Sequence, residues 1–304
     1  MAYLLRRLLL VPVPLLIVVV FVFVVLRLTG DPVAIYLGND ATPEQEALLR
    51  ESLGLDRPLA LQFAGFLGDL LRGDFGTSLQ HRAPAMEVVM ARLPATLELA
   101  AMALVLAVVL GVLGGIAAAV WNDRLPDFAL TALAVVGQSM PSFWLGILLI
   151  QLFALELGWL PTSGREDWHG AVLPTLTLTA FLLPNFILVT RTAVLETARE
   201  QFVATARARG VGSARALFRH VLPNALNPVV SLIGLQLGRL MGGAVVTETV
   251  FAWPGVGRLM VAAIFQRDVP VVIAGVFVVA VTIVLANLLV DIVQAAIDPR
   301  IRLR

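Results

Sequence analysis

Residues 99–121 read LAAMALVLAVVLGVLGGIAAAVW. This run carries no charge, and as a helix it is long enough to cross a hydrocarbon core of about 30 Å. Five further stretches are comparably long and apolar, and one of them contains a single charge, Arg239. They are residues 8–26, 128–155, 171–190, 221–247 and 269–290. We therefore predict an all-α integral membrane protein with six transmembrane helices.

The composition excludes several classes of protein. Hydrophobic residues make up 59% of the chain and charged residues 14%, whereas a soluble domain has about 45–50% and about 25%. All 22 basic residues are Arg, so the chain lacks the Lys that a Walker A loop needs against nucleotide phosphates. The chain has no Cys and three scattered His. We expect no catalytic site, no metal site and no nucleic-acid partner.

The distribution of Arg predicts the orientation, because cytoplasmic loops of membrane proteins are enriched in Arg and Lys. Arg flanks the chain at both ends and is concentrated in residues 191–220, whereas Asp and Glu outnumber Arg in residues 29–94. We expect cytoplasmic termini, a cytoplasmic 191–220 loop and an outer 29–94 segment. The predicted parts are residues 1–28 with the first helix, an extracytoplasmic helical insertion at 29–94, and a five-helix core at 95–304.

The outer segment contains two predicted helices. Thr42 with Glu46 favours a capped amphipathic helix that ends at Gly54. Residues 59–71 form a second apolar-periodic stretch, which is followed by Gly73.

Small residues recur every four positions in two predicted spans. Gly234, Gly238 and Gly242 share one helix face, and Ala107, Gly111 and Gly115 share another. Small residues at this spacing let helix backbones approach closely in lipid. We predict that both faces pack against other helices, with a gating hinge as the alternative.

Polar residues inside the spans are candidates for the lining of a water-filled path. An Arg near mid-membrane is costly and faces a cavity or a partner; Arg239 could attract a substrate carboxylate or pair with Asp291 or Glu248. The amides could instead bond across helix contacts. The candidate path residues are Gln138, Asn185, Gln236, Arg239 and Asn287.

The cytoplasmic loop has the spacing of two short helices. Phe202, Val203 and Ala206 fall on one side of the first helix, Gly210 ends it, and Ser213 can cap the second. Such a rigid projection could dock a protein or bind anionic lipid.

This loop resembles a known family. Ala204-Thr-Ala206-x-x-x-Gly210, followed after nine residues by His220-x-Leu222-Pro223, matches the spacing of the "EAA" loop in permeases of binding-protein-dependent ABC importers. Ala204 replaces the Glu of the motif and His220 replaces an Ile. A residue other than Glu is common at the first position in the peptide and nickel branch.

Other segments resemble the same branch in chain order. The quoted stretches are Gly30-Asp-Pro32, Leu53-Gly-Leu-Asp-Arg-Pro58, Gly73-Asp-Phe-Gly-Thr-Ser78, Arg92-Leu-Pro-Ala-Thr-Leu97, Gly242-Gly-Ala-Val-Val-Thr-Glu-Thr-Val-Phe251, Trp253-Pro-Gly-Val-Gly257, Arg267-Asp-x-Pro270 and Asp298-Pro-Arg300. An ordered set that extends over most of the chain is far more specific than one short motif.

The resemblance implies an importer of two permeases, usually unlike chains, two ATP-binding subunits and an extracytoplasmic binding protein. ATP and Mg²⁺ would bind the ATPase partners, and the loop would be the coupling helix that contacts them. The outer segment would meet the loaded binding protein. The implied coupling residues are Ala204, Thr205, Ala206, Arg207, Gly210, Leu222 and Pro223.

The resemblance also implies a substrate and a location. The expected substrates are dipeptides or oligopeptides, with nickel chelates, glutathione and oligosaccharides as alternatives in the same family. The expected location is the lipid of a bacterial or archaeal cytoplasmic (inner) membrane.

Two other classes are less well supported by the residues. A channel or secondary transporter often has internal repeats and acidic residues within its spans, and a membrane-embedded enzyme needs paired acid–base or metal-binding residues there. We find none of these patterns in the sequence.

Overall fold

The computed structural model of the protein describes residues 12–28, 42–52 and 55–297. This part of the chain is almost wholly helical, with an isolated antiparallel bridge between Thr77 and Pro84. The α-helices are α1 Pro12–Leu28, α2 Pro43–Ser52, α3 Leu59–Leu71, α4 Ala85–Val120, α5 Leu125–Ser139, α6 Ser142–Leu149, α7 Trp168–Ala198, α8 Gln201–Ala208, α9 Ser213–Ala216, α10 Leu222–Ala225, α11 Asn227–Val250, α12 Val256–Phe265 and α13 Val269–Ile297. Two π-helical segments, Ile150–Glu156 and Leu217–Val221, follow α6 and α9.

Four helices, α4, α7, α11 and α13, are long and apolar enough to cross a membrane. The bent pair formed by α5 and α6 with its π-helical extension gives a fifth crossing if it counts as one span. The apolar part of α1, Pro12–Val25, is shorter, and residues 8–11 of the predicted first span lie outside the described residues. The part of the chain that the structure describes is thus nearly all-helical, with four or five elements long and apolar enough to span a membrane, and the count of six stays a prediction.

The predicted span over residues 128–155 is not one straight helix. Its two halves meet at an angle of 104°. Met140 has ψ of 128° and Pro141 has ψ of 132°, so both lie outside the helical region. Proline disfavours the helical conformation of the residue before it and has no N–H to continue the ladder. The break therefore follows from Pro141.

The chain divides into two compact units. The described part of the first consists of residues 93–258 and 285–297, and that of the second of residues 12–28, 42–52, 55–92 and 259–284. The second unit thus includes residues that the sequence analysis placed in the core. The limits of the predicted 29–94 insertion stay a prediction.

Close packing of α4 on α7 is central to the first unit. A Cβ atom on Gly111 would overlap the Cβ of Phe186, and one on Gly115 would lie 2.5 Å from the Cβ of Thr190. Ala107 is fully buried on the same face. The predicted packing face on α4 is therefore confirmed, because only small residues allow this approach.

The link between α11 and α12 is held by two buried side chains. Glu248 accepts hydrogen bonds from the hydroxyl of Thr96 at 2.7 Å and from the N–H of Arg258 at 3.0 Å. Trp253 is fully buried, and its Nε1 donates to the carbonyl of Ala95 at 2.9 Å. Two sequence stretches far apart in the chain therefore meet here, and the start of α12 is attached to α4.

In the second unit, the N-terminal helices pack through aromatic rings. The ring centroid of Phe23 lies 5.2 Å from that of Phe63 and 5.7 Å from that of Phe66.

The helix α2 begins with a capping box in which Thr42 bonds reciprocally with Gln45 at 3.1 and 3.3 Å. The predicted helix is present, but the residue that completes its cap is Gln45 and not Glu46.

A buried carboxylate connects two segments of the second unit. The hydroxyl of Ser78 donates to Asp268 Oδ2 at 2.5 Å, and the Nδ1 of His81 lies 3.1 Å from the same hydroxyl. Gly76 packs beside Pro270, because a Cβ on Gly76 would lie 3.5 Å from the Cγ of that ring. The sequence stretches around Ser78 and Asp268 therefore form one local structure.

Candidate coupling surface and translocation face

The short helix α8 ends in a Schellman motif at Gly210. The N–H of Gly210 bonds to the carbonyl of Arg207 at 2.9 Å, and the N–H of Val211 bonds to the carbonyl of Ala206 at 3.2 Å; these two bonds define the motif. Gly210 has φ of +85°, with no heavy atom within 4 Å of the place where a Cβ would lie. The predicted break at Gly210 is confirmed, and its cause is backbone conformation.

A single buried side chain anchors α8 to the membrane helices. Val203 is fully buried in a cluster with Ala193 and Val194 of α7, Ala119 of α4 and Leu222 of α10. The helix therefore rests on the ends of two long helices, in addition to its covalent connections. A displacement of α8 would be passed to both.

The predicted coupling residues differ in exposure. Ala204, Thr205, Arg207, Gly210 and Pro223 are exposed, Ala206 is half-buried and Leu222 is buried. Of the side predicted to carry Phe202, Val203 and Ala206, only Val203 is fully buried, and Phe202 is 44% exposed. The predicted Ser213 cap is wrong, because Gly212 occupies the N-cap of α9, with no side-chain capping bond.

The exposed side of this loop combines aromatic and cationic groups. Phe218 is 68% exposed, and the exposed Arg side chains are Arg207, Arg209, Arg215 and Arg219. Aromatic and Arg side chains are enriched at protein interfaces. We call the exposed residues of 201–219 the candidate coupling surface.

An ion pair that the sequence analysis missed links α5 and α7. Arg191 of α7 bonds to both carboxylate oxygens of Asp127 of α5, at 2.6 and 2.7 Å, and to the Oδ1 of Asn122 at 3.0 Å. Asp127 is buried, and a paired charge at such a position is strongly held. The pair joins α7 to the first half of the broken span. The two residues are 64 positions apart, so no local spacing could reveal the contact.

The structure separates the predicted path residues. Gln236 is fully buried, and its amide has no hydrogen-bond partner within the described residues. Asn185 is half-buried, whereas Gln138, Arg239 and Asn287 are exposed in this chain. Gln236 therefore faces the interior of the first unit and does not join the exposed three.

The three glycines of α11 also differ. A Cβ on Gly234 would lie 2.9 Å from Val290 Cγ1, whereas no heavy atom lies within 4 Å of that position at Gly238 or Gly242. Gly234 thus packs on α13, and the other two glycines border open space in this chain. The structure does not bring Gly238 and Gly242 against another helix of the first unit.

The start of α7 borders a cleft of about 560 Å³ that the sequence analysis also missed. Asp167 caps the helix by accepting from the N–H groups of His169 and Gly170 at 3.0 and 3.3 Å. The hydrogen bond from the His169 ring lowers the pKa of the Asp167 carboxyl. Arg165 pairs with Glu98 at the same cleft. Among the described residues, no three His, Cys, Asp or Glu side chains are grouped to hold a metal ion.

Comparison with known proteins identifies the family. Residues 111–303 match the family described as "Binding-protein-dependent transport system inner membrane component". Residues 1–100 match the N-terminal family of the same membrane components. The chain belongs to this family.

Two curated proteins are similar to this chain over nearly their whole length. The glutathione transport system permease protein GsiC of Salmonella choleraesuis (strain SC-B67) is 45% identical over 301 residues, which is 99% of this chain and 98% of the relative. The protein of that name in Escherichia coli (strain K12) is 42% identical over the same coverage. The chain is therefore an ABC-importer permease of the inner membrane.

Solved structures support the fold of this permease. An inward-facing structure of the MetNI methionine ABC transporter matches with a TM-score of 0.61 and 18% identity, covering 70% of this chain and 97% of that one. An amino acid ABC transporter with histidines matches with a TM-score of 0.54 and 15% identity, covering 69% and 94%. These likenesses show a shared fold.

Proposed function

We propose that this permease forms half of the translocation path of an importer for short peptides and that α8 is its coupling helix. The observation that carries the proposal is the anchoring of α8. Val203 fixes the helix to the ends of α4 and α7, and the Schellman motif at Gly210 sets the direction of the chain that follows. A helix held in this way can pass a displacement of a partner to the spans.

The proposed substrate class follows from the relatives and from one side chain. Two relatives above 40% identity are glutathione permeases, and glutathione is itself a short peptide. Arg239 offers a cation to the carboxylate of such a peptide. We include dipeptides and oligopeptides in the class; nickel chelates and oligosaccharides are the competing substrates that uptake measurements separate.

Each proposed partner is expected to contact a different part of the chain. Two ATP-binding subunits would bind ATP and Mg²⁺ and receive the candidate coupling surface. A second permease would lie against the exposed side of α11 and complete the path. A binding protein outside the membrane would meet the 29–94 insertion.

The proposed topology has six spans, with both termini in the cytoplasm. Helix α1 would be the first span, and the broken pair α5–α6 the third. This arrangement places the Arg-rich residues 191–220 in the cytoplasm, as expected for a loop rich in Arg.

The coupling proposal is tested by an alanine pair. Gly210→Ala is expected to lower ATP-dependent uptake about fivefold or more, because a side chain at its φ of +85° costs about 1–2 kcal/mol. Gly212→Ala is the matched control, since its φ is −63° and its surroundings are equally open. Uptake of labelled glutathione and dialanine would be measured in proteoliposomes that contain the complete transporter.

Each other outcome has a definite meaning. Equal uptake by the two alanine variants would remove the coupling role of Gly210. Uptake without ATP would favour a channel or secondary transporter. Uptake of a nickel chelate or an oligosaccharide, without either peptide, would contradict the substrate class.

A further inference from the structure

One side of α11 is exposed and has an unusual composition for a membrane helix. Its residues follow a spacing of three and four, which keeps them on one face of the helix. The exposed or half-buried residues of this face are Ser231, Leu235, Gly238, Arg239, Gly242 and Val246. We call this set the α11 stripe. It contains a hydroxyl, a guanidinium and two glycines beside open space.

The exposed stripe of α4 provides a comparison. Val105, Val109 and Leu113 are 63%, 48% and 60% exposed, and all three are apolar, as a lipid-facing stripe requires. A charged side chain in a span normally faces protein or a water-filled cavity, because an Arg at mid-membrane is costly to insert into lipid. The α11 stripe therefore does not face lipid.

Arg239 has no partner within the part of the chain that the structure describes. It forms no ion pair with Glu248 or Asp291, the two acidic residues considered from the sequence. The carboxylate of Glu248 is instead bonded to Thr96 and to the N–H of Arg258. The cation of Arg239 is therefore available to an anion from outside the chain.

An exposed amide lies at about the same depth. Gly234 packs on Val290, and consecutive spans run in opposite directions. Because a helical turn is about 3.6 residues, one turn towards the outer side of the membrane from this contact leads to Gly238 on α11 and to Asn287 on α13. Asn287 is exposed. A guanidinium and an amide thus occur at one level of the exposed surface.

We propose that Arg239 binds the carboxylate of the peptide as it passes through the path, with the Asn287 amide as a second donor. This inference rests on the proposed function. A guanidinium binds a carboxylate through two parallel hydrogen bonds, and Gly238 and Gly242 leave room beside it for a peptide backbone. The site selects short peptides with a free carboxylate over neutral solutes of similar size.

Charge variants test the site in the complete transporter. Arg239→Gln removes the charge and keeps a polar side chain, and we expect it to lower uptake of labelled glutathione and dialanine about tenfold or more. Arg239→Lys keeps the positive charge but cannot form the bidentate pair with a carboxylate. Its uptake of the two peptides is expected to lie between that of Arg239→Gln and that of wild type. Ser231→Ala, on the same stripe, is the matched control and should transport normally. ATP hydrolysis stimulated by the binding protein is measured for all three variants, and it should stay within about twofold of wild type in Ser231→Ala.

Cysteine labelling gives a second test that needs no transport. The chain has no Cys, so Arg239→Cys introduces a single thiol. A water-soluble anionic methanethiosulfonate should modify this thiol much faster than that of Val105→Cys on the lipid-facing stripe.

The outcomes separate this inference from the proposed function. If wild type takes up neither peptide, the proposed function fails first. If wild type transports and Arg239→Gln transports equally well, the carboxylate site is refuted while the importer assignment stands. Absence of labelling at position 239 would place the residue in a protein interface and also refute the site. Loss of stimulated ATP hydrolysis in Arg239→Gln would assign the residue a structural role and overturn the proposal.

Discussion

Alanine at both Gly111 and Gly115 is expected to abolish the folded state of this permease in the membrane. The added Cβ atoms would overlap Phe186 and lie 2.5 Å from Thr190, and the Ile187 carbonyl lies 2.7 Å from the second position. Backbone atoms cannot yield to this overlap as a flexible side chain can, so α4 and α7 must separate. The expected loss for each substitution is about 3 kcal/mol, at the upper end for overpacked cores. The measurement is the yield of monodisperse protein after mild-detergent extraction and gel filtration.

Gly114→Ala is the matched control on the same helix. Its Cβ would meet Ile187 Cγ1 at 3.3 Å, and this side-chain atom can move by a few tenths of an ångström. Alanine is also a better helix former than glycine by about 1 kcal/mol, so this variant should be extracted at least as well as wild type. Equal yields for the control and for the double variant would refute the close approach of α4 to α7.

Replacement of Asp127 by Asn is expected to lower the free energy of unfolding by about 3 kcal/mol. Removal of one partner from a buried ion pair leaves the other charge without compensation. Asn would keep one acceptor oxygen but replace the other with an amide NH₂, so Arg191 would lose its ionic partner and one of its two bonds, at 2.6 and 2.7 Å, and would keep the bond to Asn122. Denaturant unfolding of the purified permease, followed by tryptophan fluorescence, measures the loss. Because the pair holds α7, whose Ala193 and Val194 pack in one cluster with Val203 of α8, uptake in the reconstituted transporter should fall as well.

The neighbouring carboxylate supplies the control for this prediction. Asp123 is exposed and has φ of +61°, a conformation that Asn tolerates as well as Asp does. Asp123→Asn should therefore change stability by less than about 0.5 kcal/mol, as is usual for exposed positions. If both variants unfolded at the same denaturant concentration, the ion pair would have no structural importance.

The long spans were predictable because their signal is local. Charge-free apolar runs of about twenty residues need no knowledge of their neighbours, and α4, α7, α11 and α13 were all found from them. The broken span was missed although its signal, Met140-Pro141, was present. A hydropathy average over the whole stretch is hardly changed by one proline, whereas that one proline is enough to break the helix.

The candidate coupling surface was predictable in part for the same reason. A glycine after a short helix indicates a left-handed cap, and Gly210 forms one. Which side of α8 is buried was not predictable, because Phe202 and Val203 are adjacent and either could anchor the helix. Val203, the smaller of the two, is buried in a cluster with Ala119 of α4 and Ala193 of α7, and the larger Phe202 is exposed.

The candidate path residues show most clearly what could not be predicted from the sequence. Gln236 and Arg239 are three positions apart on one helix, and both were candidates on polarity alone. The structure buries Gln236 and exposes Arg239, because Gln236 lies on the side of α11 that is buried together with Leu240, Ala244 and Thr247. A polar residue in a predicted span is therefore a candidate functional residue, but its polarity does not tell whether its side chain faces the protein interior or the exposed surface.

The sequence by itself determined that this protein is a multi-span membrane protein and, through ordered motifs, that it is a permease, because hydrophobic length and short-range spacing are written along the chain. Only the tertiary structure decided which residues meet. Asp127 with Arg191 and Thr96 with Glu248 are separated by 64 and 152 positions. Such pairs depend on helix rotation and crossing, which arise from packing over the whole unit and leave no periodic trace in the sequence.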